Sequence, residues 1–141
     1  MKNKHIIFLD TSIFESENFF KGRNLIHICD LSKNGLIEVK ITDITHNEII
    51  NRIKENIQKS QTSFKKANSL INSEAKLLKN IDEFTVFFNF PKLESEDLLN
   101  NFKTKLEEFI LDNSIEIIDS KISNLKEVFE KVFPRVWMLL S

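Results

Sequence analysis

The chain has 141 residues, of which 41% are hydrophobic and 29% charged, with a net charge of −1. This is enough for one soluble globular domain with a sizeable core. Two Gly and two Pro among 141 residues argue against a β-sandwich or barrel, which needs many tight turns, and against any Gly-rich phosphate loop. A single Cys excludes a disulfide framework and a cysteine zinc set, and the aromatic bulk is thirteen Phe with one Trp and no Tyr. No apolar run reaches the roughly 18 residues of a membrane span, and no signal peptide precedes the first apolar run, so the expected location is cytoplasmic.

The run His5-Ile6-Ile7-Phe8-Leu9 ends in Asp10. It reads as a continuous apolar strand of the kind covered on both faces of a parallel sheet. Residues 18–33 read as a helix through Phe19, Phe20, Leu25, Ile28, Cys29 and Leu31, stopped by Asn34-Gly35. Cys29 in that pattern reads as a small buried side chain. Residues 36–42 alternate Ile37, Val39 and Ile41 against Glu38 and Lys40, a half-buried strand. Strand, helix and strand in that order make a βαβ unit with parallel strands, so both strands end at the same sheet edge.

From Thr45 a helical pattern runs to about Lys79. Ile49, Ile50, Ile53 and Ile57 form its apolar stripe, continued by Phe64, Leu70 and Leu77, with breaks expected near residues 60–63 or Asn72-Ser73. Asn89-Phe90-Pro91 marks a stop. Residues 94–111 read as a helix, Ile115 to Asp119 as a third strand again ending in an acid, and Lys121 to Val132 as a further amphipathic helix. Charge is unevenly spread. Residues 51–80 hold seven Lys/Arg against two Asp/Glu, whereas residues 81–141 hold seven against twelve. A basic segment of this kind either contacts a polyanion or is simply a solvated helix face.

Asp10 and Glu48 are the residues that point to a chemistry. Ligands bind at the carboxyl ends of parallel strands, and two carboxylates brought together there favour a cation between them. Each has a structural reading as well. Asp10 can cap the following turn. Thr45-His46-Asn47-Glu48 fits a capping box, in which Glu48 bonds back to Thr45. Asp43 and Asp119 read as turn residues, with Asp43 alternatively supporting a site. His5, His27 and His46 have no ligand spacing.

Phe8-Leu9-Asp10-Thr11-Ser12-Ile13-Phe14 and Ile41-Thr42-Asp43-Ile44-Thr45-His46-Asn47-Glu48-Ile49 together resemble the PIN domain family of metal-dependent nucleases, in its branch with a long helical insertion. The resemblance implies an α/β, three-layer PIN-like fold: a short parallel sheet flanked by helices, helix-rich and incomplete. It implies one domain over residues 1–141, with a helical insertion in 45–111. It makes Asp10 and Glu48 the acids that hold Mg²⁺ or Mn²⁺, with Ser12 and Thr11 supporting them. The family carries further acids on later elements, whereas residues 133–141 contain none, so the chain reads as truncated.

The implied activity is metal-assisted hydrolysis of RNA phosphodiester bonds, with Lys54, Lys59, Lys65 and Lys66 contacting phosphates and little activity expected from the truncated chain. The implied partners are RNA and either a second copy or an antitoxin-like protein. The alternative is a non-catalytic PIN-like interaction or structural module. A haloacid-dehalogenase-type phosphatase would need an acid two residues after Asp10, where Ser12 stands.

Overall fold

The computed structural model describes residues 3–92 and 94–121. The helix expected from Lys121 to Val132 and the acid-free tail lie outside that description. The described chain is a helix-rich α/β fold. It comprises β1 (His5–Phe8), α1 (Thr11–Ser16), α2 (Arg23–Lys33), β2 (Ile37–Thr42), α3 (Asp43–Glu74), α4 (Ser95–Asp112) and β3 (Glu116–Ile118). Two 3₁₀ segments, Lys76–Asn80 and Asp82–Phe88, connect α3 to α4. The chain divides into two compact units, one of Met1–Ile49 with Glu107–Ser141 and the other of Ile50–Leu106.

The first unit holds a three-stranded sheet in the order β1-β2-β3, both pairs parallel. Ile7 pairs with Val39 and Ile41 with Ile117. Val39 and Ile41 on β2 are fully buried, and α2 packs against β2 while burying Leu25 and Cys29. Phe14, completely buried, meets Phe109 edge-on at 6.2 Å between ring centroids, and Phe20 meets the same ring at 5.5 Å. On the polar face of β2, Lys40 bonds Glu116 across the strands at 2.7 Å and lies 3.6 Å from Glu38.

Three helices end in the same device. In each, a residue with positive φ follows the helix, and two backbone N–H groups fold back onto carbonyls of the last turn. After α2 the residue is Gly35 (φ 70), with Gly35 N–H bonding Ser32 O and Leu36 N–H bonding Leu31 O. After α4 it is Ser114 (φ 55), with Ile115 N–H on Ile110 O. After α1 it is Asn18 (φ 50), with Phe19 N–H on Phe14 O. The last case corrects the single helix expected over 18–33. Asn18 terminates one helix instead of starting another, because Asn tolerates the left-handed conformation. The second helix begins only after Gly22, where the Asn24 N–H and side-chain amide both donate to the Glu17 carboxylate. Glu17 thus occupies the positive end of α2.

Two further expectations change. β1 is an edge strand among the described residues: His5 and Ile6 are exposed, Ile6 at 36%, Ile7 and Phe8 are half-buried, and only the following Leu9 is buried. A continuous apolar run does not distinguish a central strand from an edge strand. The long helix ends at Glu74, close to the expected break at Asn72-Ser73, and its apolar stripe is buried only at Ile49, Ile53 and Ile57. Phe64, Leu70 and Leu77 are exposed.

Candidate active site

Parallel strands bring Asp10, Asp43 and Asp119 to one sheet edge, since each follows the carboxyl end of a strand. Their surroundings then separate them. The Asp43 carboxylate accepts from the backbone N–H and the hydroxyl of Ser120, both at 3.0 Å, and from the Ile44 N–H at 2.9 Å. These donors, the Ser120 hydroxyl first, hold its carboxyl below the usual range against a small desolvation effect. Asp119 accepts from the Lys121 N–H at 2.8 Å. Both are tied into the turn after β3, the structural role expected for them.

Asp10 occupies the N-cap position of α1 with an extended backbone, yet its side chain makes no capping hydrogen bond. It accepts instead from the Ser12 hydroxyl at 2.8 Å. That bond is the main reason its carboxyl lies below the ordinary value. The nearby Thr11 and Ser12 backbone N–H groups add to the lowering, and slight desolvation opposes it. Asp10 is exposed and carries its charge at neutral pH.

Glu48 departs from the capping-box expectation. The cap of α3 is Thr42, whose hydroxyl accepts from the Thr45 N–H at 3.1 Å. Thr45 sits in the first turn of the helix, so Glu48 has no open N-terminus to close. Its carboxylate accepts from the Thr11 hydroxyl at 2.8 Å across 37 residues of sequence. Thr11 is buried and adjoins Asp10. Glu48 is therefore joined to the end of β1 through one residue, an arrangement that spacing along the chain cannot reveal. Ser12 and Thr11 thus each hold one of the two acids.

His46 bonds Glu107 on α4 at 2.6 Å. Cys29 is buried, and burial pushes its thiol up to about 11, which keeps it protonated and inert. Lys54, Lys59, Lys65 and Lys66 are exposed on α3 in the second unit. At about 100° per residue they form two rows, Lys54 with Lys65 and Lys59 with Lys66.

Asp10 and Glu48 are hard oxygen donors of the kind that bind Mg²⁺ or Mn²⁺. Each is fixed by a neutral hydroxyl that leaves its charge uncancelled and other oxygen lone pairs available. Among the described residues, no group of three or more His, Cys, Asp or Glu is placed to hold a metal ion. The donor chemistry fits a divalent cation as a pair of ligands.

The family model for the PIN domain matches residues 7–135, and the chain belongs to that family. PIN domains are generally nucleases that use divalent metals. No match is found among curated proteins or among solved structures. No helix among the described residues is long and apolar enough to cross a membrane.

Proposed function

We propose that the chain is a PIN-like, Mg²⁺- or Mn²⁺-dependent ribonuclease domain, a single domain with its helical insertion in 45–111, acting on RNA in the cytoplasm. A lone reduced thiol such as Cys29 is ordinary in that compartment. Asp10 and Glu48 are the metal ligands and catalytic acids, and the observation that carries the reading is the Thr11–Glu48 hydrogen bond. It withdraws Glu48 from helix capping and commits it to the end of β1 where Asp10 stands.

When bound, the cation supplies an activated water and charge stabilisation for the leaving oxygen. The chain's own part is positional. Ser12 holds Asp10 ionised, Thr11 orients Glu48, and Lys54, Lys59, Lys65 and Lys66 attract the phosphate backbone. Besides RNA, the partner would be a second copy or an antitoxin-like protein.

A second reading, a non-catalytic PIN-like interaction module, is favoured by the absence of a third metal-binding side chain beside the pair among the described residues. Cleavage of single-stranded RNA with Mn²⁺ separates the two. On the nuclease reading the wild type cleaves, whereas Asp10→Asn and Glu48→Gln lose activity by roughly a hundredfold or more. A wild type that neither cleaves RNA nor binds Mn²⁺ selects the module, and cleavage surviving Asp10→Asn removes that residue from the chemistry.

A further inference from the structure

The segment joining α3 to α4 carries a concentration of exposed apolar side chains. Within the second unit, Leu77, Ile81, Phe84, Val86 and Phe87 are 37–80% exposed. A 3₁₀ helix has three residues per turn, so side chains three apart stand above one another. Phe84 and Phe87 follow that spacing along Asp82–Phe88, with their rings 6.1 Å apart, and Ile81 stands just before the segment as its extended N-cap residue. The result is a ridge of large apolar groups with Leu77 and Val86 beside it. Soluble proteins seldom leave so many together in water unless something covers them.

The charges around the ridge distinguish the possible covers. Lys76 and Lys79 precede Ile81, whereas Asp82 and Glu83 follow it. Lys79 lies over the Phe88 ring at 5.2 Å. No ion pair among the described residues engages Lys76, Asp82 or Glu83. The patch is thus charge-balanced, with its signs separated along the chain. A polyanion would meet the two acids at the start of the ridge. A second copy related by a two-fold axis near Ile81 brings each pair of lysines toward the other copy's acids, the self-complementary arrangement that such an interface requires.

We infer that residues 76–88 are a homodimer interface, with Ile81 of both copies at its axis and the Phe84–Phe87 pair of each against the other copy's segment that carries the exposed Leu77. Five exposed apolar side chains on one short segment are far fewer than the roughly 20–30 residues a side of a standard interface. The dimer is therefore a weak one, in equilibrium with monomer. This inference is independent of the nuclease reading, since it requires neither metal nor RNA.

Sedimentation velocity on the full chain, over roughly a hundredfold concentration range, tests it through the mass dependence of association. The wild type should pass from monomer to dimer as concentration rises. Phe87→Glu, at an exposed position, should weaken the dimer about tenfold or more, with circular dichroism confirming that helix content is retained. Lys76→Glu and Glu83→Lys should each weaken it as well, and an equimolar mixture of those two should restore it, because the heterodimer regains both opposite-charge pairs. A wild type that stays monomeric throughout overturns the inference, as does a dimer indifferent to Phe87→Glu or a mixture no tighter than its components. A monomer that retains a single-stranded oligonucleotide in EDTA and loses it on Phe87→Glu also overturns it, and assigns the ridge to base stacking.

Discussion

Thr11 is the residue on which the candidate site turns. Its hydroxyl is buried beside the end of β1 and donates to a carboxylate on a different element, so its removal affects both fold and site. Thr11→Val keeps the shape and deletes the donor. Hydrogen bonds to charged groups contribute about 1.5–3 kcal/mol, and the partial exposure here places the loss toward the lower figure. Thr11→Val should therefore lower stability by about 1–2 kcal/mol and weaken Mn²⁺ binding, whereas Thr11→Ser should restore both. Denaturant unfolding and Mn²⁺ titration measure the two effects separately. Wild-type Mn²⁺ affinity in Thr11→Val would show that Thr11 does not orient a ligand. At this scale, the sequence made the acids legible and left their partners hidden. Asp10 and Glu48 stood out because each adjoins an apolar strand or helix start. The capping box at Thr45–Glu48 was misleading because Thr42, three residues earlier, offers the same hydroxyl and takes the cap. Either threonine can play that role, and only the helix's actual starting point decides between them.

At the scale of the element, the two glycines test different physics. Gly35 has φ 70 but open space around its Cα, the nearest atom to an added Cβ being Lys4 Nζ at 3.7 Å. Gly22 has an ordinary φ of −68, yet an added Cβ would collide with the side chain and Cα of Glu17. Gly35→Ala therefore costs only the left-handed backbone penalty, about 1 kcal/mol. Gly22→Ala must push Glu17 away from the N-terminus of α2, combining overpacking of about 1–3 kcal/mol with the loss of two hydrogen bonds. Thermal unfolding should place Gly22→Ala below Gly35→Ala, and the reverse order would show that Glu17 can move aside freely. In the sequence Gly35 is legible from the helix stop it forms with Asn34, whereas Gly22 carries no such signal. Its function depends on a carboxylate five residues earlier that folds back only because Asn18 and Phe19 both take positive φ. Local periodicity makes β2, α3 and α4 legible because each spans three or more full periods, of two residues in a strand and 3.6 in a helix. It merged α1 and α2 because a six-residue helix offers too little periodicity to stand apart.

At the scale of the molecule, the parallel sheet collects the carboxyl ends of all three strands, and that much followed from element order alone. What the order could not show is how the edge is divided between structure and site. Asp43 joins the end of β2 to the turn after β3 by way of Ser120, 77 residues later. Its carboxylate accepts from three neutral donors, whereas one hydroxyl holds each of Asp10 and Glu48. This division makes a prediction about pH. A carboxylate whose folded value is depressed adds stability that is present above its unfolded value, near 3.9, and that disappears as pH falls through the folded value. Both Asp43 and Asp10 are depressed, so the wild type should lose stability below about pH 4. Both carboxyls are lowered from the same ordinary value, so the wild-type curve alone cannot separate them. The difference between wild type and Asp43→Ala can, because the Asp10 contribution is common to both. That difference should be largest near neutrality and shrink as pH falls from about 5 to 3. Urea midpoints across that range measure it. A difference constant with pH would mean that Asp43 holds β3 by shape and neutral hydrogen bonding, with no contribution from its charge.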